Sequence, residues 1–347
     1  MDRELEALEI VFRSALARLG LALGLLARDE WQSVNPLRPG GGEWESRVWR
    51  LAFGGREAAR RLTLAYYLLA RAIETGVALM PDGEETLDDL RDGFLYMVES
   101  ILDLDMDVGP DVDIDEQLLY DYLGDMKERD PERLPRDELE DAIEDWLTER
   151  GPDGDLKFEE FLWPQDEVES HRDAAEVFGE YLLDAGIDGL AEKLAKLQRV
   201  HADDSQAFSS AAEREFEIHG NKVAAVIDKV AMDAGREFID RAAEKDSMRS
   251  RMMVARGVRS NPCHFCAMLA SRGFVYLSER SAMGDTGYHP NCHCFPIVRW
   301  VSDKLPERNE YYQSKWSEIT RGKSGREARK TWRRWINAER RERASEQ

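Results

Sequence analysis

The cysteines of this chain are confined to one short stretch, which constrains what the C-terminal part can form. All four cysteines and three of the six histidines lie between residues 263 and 294. Cys263 and Cys266 are separated by two residues, a spacing that lets one tight turn direct both sulfurs at a single ion. Asn261 and Pro262 indicate where that turn begins. The pattern is typical of one tetrahedral metal site and favours Zn²⁺.

The second group of potential ligands lies just before a strand predicted over residues 295–301. In an extended segment Cys292 and Cys294 point to the same side, and His289 can turn back toward the same ion. Zinc takes four ligands, so the first cysteine pair leaves two places and the sequence offers three candidates for them: His289, Cys292 and Cys294. The remaining candidate would hydrogen-bond to a ligand sulfur. With four protein ligands the site has no open position for water and is structural.

Three other uses of these cysteines are less well supported by the sequence. A redox CxxC pair is expected after a strand of a βαβ unit, whereas a helical pattern precedes Cys263. Structural disulfides do not suit the reducing cytoplasm predicted for this chain. A nucleophilic cysteine paired with His289 or His293 is conceivable, but nucleophiles rarely come with three further thiols.

The rest of the chain is predicted to be mainly α-helical. Apolar residues recur at helical spacing over residues 2–28, 57–78 and, almost without interruption, 174–256. Gly186 is expected to separate two helices. A short helix over Cys266–Arg272, stopped by Gly273, and strands over 274–277 and 295–301 complete the cysteine-rich region. The fold class expected is a multi-helix body with a small C-terminal α+β zinc-stapled module.

The net charge of −22 is concentrated in one segment. Residues 81–170 contain 33 Asp and Glu against 7 Lys and Arg, a balance of −26, so the remaining residues carry −22 + 26 = +4. Apolar residues at three-to-four spacing predict helices within this segment. The stretch 149–160 departs from a calcium-loop pattern at its first and third positions, which favours a plain helix-turn-helix. The segment is interpreted as an acidic, partner-facing insert whose role stays open.

The C-terminal tail has the opposite character. Residues 308–343 hold 12 Lys and Arg against 5 Glu, with tyrosines and tryptophans interleaved. Basic residues with aromatics can hold a nucleic-acid backbone. The preferred interpretation is a helix whose aromatics pack on the body while its arginines face water or the acidic segment. The predicted domain organisation therefore has five parts. They are an N-terminal helical region (1–80), an acidic insert (81–170), a second helical region (171–256), a zinc module (257–303) and a basic aromatic tail (304–347).

Two observations predict a soluble protein made in the cytoplasm. The first six residues include three acidic ones, where a secretory signal would carry net positive charge. The longest apolar run, Leu19–Ala27, is too short to span a bilayer. His171, His201 and His219 are scattered and are expected to be surface or helix-cap residues.

The cysteine-rich stretch resembles the Mu F-like minor head (minor capsid) proteins of tailed bacteriophages. The resemblance is carried by NPCHFCAMLASRGFVY (261–276) and YHPNCHCFPIV (288–298), and more weakly by AARRLTLAYYLLARA (58–72), which is similar to the actinobacteriophage branch. It implies a low-copy virion protein that associates with the portal or inner capsid after assembly in the host cytoplasm. Its partners would be portal and capsid proteins, and its role would be head assembly or genome packaging and delivery.

Two further functions are compatible with the sequence. The first is a capsid-maturation protease or other hydrolase, although Ser271 near His289 is too little to build a catalytic site, so no enzymatic activity is expected. The second is a packaging factor that binds genomic DNA through the basic tail.

Overall fold

The structure is a computed structural model that describes residues 2–35, 37, 43–79, 86–103, 136–159, 167–246, 251–258, 262–275 and 294–345. This part is mainly helical, as predicted. Its helices are α1 (Asp2–Gln32), α2 (Glu43–Thr75), α3 (Leu87–Asp103), α4 (Arg136–Thr148), α5 (Glu167–Ala185), α6 (Ile187–Val200), α7 (Ser205–Lys245), α8 (His264–Ala270), α9 (Glu307–Ile319) and α10 (Gly325–Ser345). β1 (Val77–Ala78) pairs in parallel with β2 (Lys157–Phe158), and β3 (Met253–Gly257) pairs antiparallel with β4 (Phe295–Arg299).

The helical core is formed mainly by α1, α2 and α7, which make the most extensive contacts with one another. Phe12 of α1 stacks on Tyr66 of α2 with ring centroids 4.1 Å apart. A Cβ atom on Gly55 would lie 2.2 Å from Leu23 Cδ1, so a larger residue there would displace the Leu23 side chain from between α1 and α2. The sequence predicted that α2 begins near residue 57. It begins at Glu43 and continues through both glycines, of which Gly55 is buried against Leu23 and Gly54 is exposed.

The α1 helix is long and apolar enough, over Arg3–Gln32, to cross a membrane by length and composition. No other helix of the described residues meets that test. In the structure, 61% of its most apolar window is buried inside the protein. Its charged residues Glu4 and Glu9 are 3% and 1% exposed and bind arginines of other elements. This helix therefore behaves as a core helix in the fold described here.

His219 of α7 is a core residue, which corrects the expectation of a surface or cap histidine. It is 1% exposed, and its Nδ1 lies 2.7 Å from the carbonyl oxygen of Ala185, where α5 ends. Gly186 separates α5 from α6, as predicted. His201 caps the end of α6, as expected, and the side chain of His171 lies outside the described residues. Burial lowers the pKa of His219 from its ordinary value of 6.5.

This lowered pKa predicts a specific loss of stability in mild acid. Because the folded-state pKa lies below the unfolded one, the unfolded chain takes up the proton first as the pH falls below about 6.5. The contribution of His219 is therefore complete above that pH and is lost toward the lowered folded pKa. Urea unfolding at about pH 8 and about pH 5.5 should show a smaller pH effect for His219→Gln than for the wild type. His201→Gln is the control and should keep the wild-type effect. Equal pH effects in all three proteins would contradict the assignment.

The described part of the acidic segment packs on the helical core. The α3 helix contacts α1 and α2, and α4 contacts α1. Phe94 and Trp146 are both 0% exposed, with ring centroids 5.5 Å apart. The predicted helices of this segment are thus confirmed where it is described. The stretch after α4 is extended and contains β2, so it is not the predicted helix-turn-helix. Residues 104–135 lie outside the described residues, and the predicted domain boundaries stay a prediction.

A second, smaller core lies in the C-terminal region and holds the cysteines. It consists of buried residues from β3, α8, α9 and α10 and from the residues next to β3 and β4: Val254, Val258, Cys266, Ala267, Met268, Leu269, Ala270, Cys294, Tyr312, Trp332 and Ile336. The β3–β4 pair connects the two cores, because Phe295 and Ile297 belong to the helical core and Val254 to the second one. Buried Asn309 of α9 donates to the carbonyl oxygens of Arg256 (2.9 Å) and Ala270 (3.2 Å).

The C-terminal strands differ in part from the prediction. The β4 strand and the short helix stopped by Gly273 are confirmed, and Gly273 has a positive φ of 67°. The helical pattern predicted to continue to about Arg256 ends at Lys245, and Met253–Gly257 is a strand. Pairing with β4 overrides the helical spacing at that point. Phe274 and Val275 are not in a strand, and residues 276–277 lie outside the described residues.

The aromatic residues of the tail pack inward, as expected. Trp332 is 0% exposed and donates from Nε1 to the carbonyl oxygen of His264 at 2.9 Å. It also contacts the rings of Trp316 and Tyr312 in α9. The α9–α10 pair therefore forms the outer wall of the cysteine-containing core.

Candidate metal centre

Cys263 and Cys266 lie at the N-terminus of α8, and their sulfurs are close together. The two Sγ atoms are 3.3 Å apart. Cys263 is the N-cap residue, and its Sγ accepts a hydrogen bond from the backbone N–H of Cys266 at 3.4 Å. This bond satisfies one of the N–H groups that a helix start leaves unpaired. The first turn of the helix therefore directs both sulfurs to one point, as the spacing predicts.

The distance between the two sulfurs is close to that between two cysteine ligands of one zinc ion. Tetrahedral Zn²⁺ with Zn–S bonds of about 2.3 Å separates two thiolates by about 3.8 Å. The observed separation of 3.3 Å is far longer than a disulfide bond of about 2.05 Å. It is about 0.5 Å shorter than the zinc value, a difference that a small side-chain rotation removes. The cysteine pair therefore fits two of the four positions around a zinc ion.

A buried arginine lies beside the inner cysteine. Arg256 of β3 is 0% exposed, and its Nη2 donates to the Sγ of Cys266 at 3.3 Å. Cys266 itself is 1% exposed, whereas Cys263 is partly exposed. A guanidinium group stabilises negative charge on a sulfur, and hydrogen bonds to ligand atoms orient the ligands of metal sites. Sequence reasoning missed Arg256, although a charged residue at the fourth position of an otherwise uncharged five-residue strand was a usable signal.

Cys294 lies in the same apolar core as Cys266, at the residue before β4, and is 3% exposed. Its carbonyl oxygen accepts a hydrogen bond from Nε of Arg236 at 2.9 Å, which positions the start of the strand against α7. Within the described ranges, no three His, Cys, Asp or Glu side chains are grouped so that they could hold a metal ion. The other candidate ligands, His289 and Cys292, lie outside the described residues, as does His293.

Of the two residues considered for a hydrolase, Ser271 is the one that the structure describes. Ser271 is 5% exposed, and its Oγ donates to the carbonyl oxygen of Met268 at 2.8 Å. Such a bond occupies the hydroxyl proton that a general base would have to remove. His289, the proposed base, lies outside the described residues.

A second group of buried polar side chains was not predicted from the sequence. Asp246, at the end of α7, accepts hydrogen bonds from Arg71 (2.8 and 3.0 Å), Tyr67 (2.9 Å) and Trp300 (3.1 Å). The side chains of Arg71 and Asp246 are both 0% exposed. Burial, and next the charge of Asp246, raise the pKa of Tyr67 well above its ordinary value. We call these four residues the buried polar cluster.

Further hydrogen bonds and an ion pair lie around this cluster. Glu74 accepts hydrogen bonds from the backbone N–H groups of Trp300 (2.5 Å) and Val301 (3.1 Å), and Arg299 pairs with Glu9 of α1. These bonds connect α1, α2 and the end of α7 to β4. Because the groups are buried and paired with one another, their role is to fix the position of β4, directly after Cys294.

The calcium-loop alternative is not supported by the contacts of the stretch after α4. The carboxylate of Asp153 accepts a hydrogen bond from the backbone N–H of Asp88 at 3.1 Å, at the start of α3. The backbone N–H of Gly151 donates to Glu4 of α1 at 3.1 Å. These groups therefore attach the stretch to α1 and α3.

A protein-family model matches part of the chain. The model of a family described as VG15 protein matches residues 170–319. This stretch runs from α5 to the end of α9 and includes all four cysteines and Arg256. Comparisons with curated proteins and with solved structures find no match. VG15 is a family of viral gene products, and the match suggests that this chain is a phage protein.

Proposed function

We propose that the chain is a phage minor head protein, a low-copy component of the virion that associates with the portal or the inner capsid. The VG15 match supports a phage origin and covers the helices and strands that carry the cysteine-rich stretch. The finer assignment is supported by the resemblance of residues 261–276 and 288–298 to Mu F-like minor head proteins. Its partners would be portal and capsid proteins, and its role head assembly or genome packaging and delivery.

We further propose a structural zinc ion bound by Cys263, Cys266 and two of His289, Cys292 and Cys294. The observation that carries this proposal is the pair of thiols 3.3 Å apart at the first turn of α8. Any two of these three residues complete the four ligands, and the single substitutions described below distinguish them. Four protein ligands leave no position for a reacting water, so the ion would connect α8 to the segment before β4 without catalysing a reaction.

The virion assignment is tested by quantitative mass spectrometry of purified mature particles. We expect the protein to be present at a few copies per particle and to co-purify with the portal protein when particles are dissociated. A phage-encoded cytoplasmic enzyme from the same infected cells serves as the control for contamination. Abundant free protein in the lysate together with its absence from washed particles would contradict the proposal.

A further inference from the structure

The outer face of α10 carries a dense group of positive charges. Ala328, Trp332 and Ile336 are buried, the last two in the second core, so the opposite side of the helix faces solvent. Six basic side chains are exposed on that side, and we call them the basic face: Arg326, Arg329, Lys330, Arg333, Arg334 and Arg341. Between Arg326 and Arg341 the helix rises about 22 Å.

These side chains form no ion pair with the rest of the described protein, although one exposed carboxylate, Glu327, lies on the same helix. None of the six side chains makes a hydrogen bond or ion pair with a described residue. Exposed basic residues of other helices do so, for example Arg61 with Glu57 (2.7 Å) and Lys196 with Glu192 (2.5 Å). Residues 328–338 contain no carboxylate, and Glu339, which follows, accepts a hydrogen bond from Tyr311 of α9 at 2.6 Å. Within the part of the chain that the structure describes, the basic face is therefore an array of cations without ion-pair partners on one helix.

We propose that the basic face binds the phosphate backbone of double-stranded DNA. Five of its six residues are arginines, whose planar guanidinium groups form paired hydrogen bonds with phosphate oxygens. A single-stranded partner would require exposed aromatic rings on which bases could stack. Trp332 is buried and Trp335 packs on it with ring centroids 4.8 Å apart, so the face offers charge without stacking. Contacts to phosphates alone predict binding with little sequence preference.

The negative net charge of the whole chain does not prevent this interaction. The excess acid is concentrated in residues 81–170, and the remaining residues carry about +4, as counted above. At about 0.1 M salt, charges more than about 10 Å apart are largely screened. The acidic segment is nevertheless a competing polyanion, and the experiment must distinguish it from DNA.

The test is the salt dependence of binding by the full-length protein to a short fluorescent duplex, measured by anisotropy. If six phosphates are contacted, the logarithm of the affinity should fall with the logarithm of the salt concentration with a slope of about −5. The variant R329Q/K330Q/R333Q/R334Q should bind more weakly, and its slope should be shallower than that of the wild type by about 3 to 4. The control K193Q/K196Q/R199Q/R214Q has the same change in net charge on exposed positions of α6 and α7. It should keep the wild-type slope.

Circular dichroism should show both variants folded, because the substituted side chains are exposed. Equal slopes for the two variants, or tighter binding to single strands than to the duplex, would overturn the proposal. The proposal would also be overturned if the wild-type protein did not bind the duplex but bound a peptide of residues 104–135, since the acidic segment would then be the partner. The inference goes beyond the proposed virion role and does not depend on it, because binding is measured on the isolated protein.

Discussion

Replacing Cys266 by serine is expected to give a protein that no longer retains zinc and whose C-terminal region unfolds at a clearly lower temperature. Cys266 is 1% exposed and supplies one of the two sulfurs that the first turn of α8 directs to the proposed ion. Structural zinc contributes about 10–16 kcal/mol to the folding of small peptides at pH 7, and even a fraction of this is several kcal/mol. Elemental analysis would measure the zinc, and the fluorescence of the tryptophans in α9 and α10 would follow the unfolding.

The control for this experiment is Met268→Leu, a substitution of similar volume in the same helix, where Met268 is 8% exposed. It should keep the zinc content of the wild type. Single substitutions of His289, Cys292 and Cys294 would then identify the other ligands, because the variants that lose zinc mark the ligands and the one that keeps it marks the remaining residue. A reduced wild-type protein that is free of metal and equally heat-stable with a chelator would refute the zinc proposal.

Replacing Asp246 by asparagine is expected to lower the free energy of unfolding by about 3–5 kcal/mol, because it leaves the Arg71 guanidinium without its buried counter-ion. Both side chains are 0% exposed. The remaining ion pair of Arg71, with Glu159 at 2.8 Å, involves a partly exposed carboxylate that water screens. Denaturant unfolding of both proteins would give the difference.

Two further variants show whether this effect comes from the buried charge. The double variant R71M/D246L removes both charges and is expected to be more stable than Asp246→Asn, since no buried charge is then left unpaired. Glu192→Gln breaks the exposed pair with Lys196 and should change stability by less than about 1 kcal/mol. A loss of less than about 1 kcal/mol for Asp246→Asn would show that Arg71 is solvated in the folded protein.

The elements predicted correctly from the sequence are those whose signal is local. The spacing of apolar residues was enough to predict helices in the body and in the described parts of the acidic segment. Gly186 and Gly273 ended helices because glycine leaves the helical conformation at little cost. Gly55 lies inside α2, where it is packed against Leu23 of α1.

The elements that were predicted wrongly depend on residues distant in the chain. Met253–Gly257 follows a long helix in the sequence, and its strand conformation results from pairing with Phe295–Arg299. His219 resembles an isolated polar residue in the sequence, but helix packing buries it against the carbonyl of Ala185. The local sequence pattern contains no information about either partner, the β4 strand in the first case and the Ala185 carbonyl in the second.

The sequence alone determined that Cys263 and Cys266 share one turn. Residues three positions apart lie on the same side of a helical turn, so their sulfurs come together whatever surrounds them. It also determined the charge of the tail and of the acidic segment. Only the tertiary structure decided that Arg256 lies against Cys266 and that Arg71 and Asp246 are buried together. These arrangements depend on contacts between segments dozens to hundreds of residues apart, whose free energy comes from burying the two cores together.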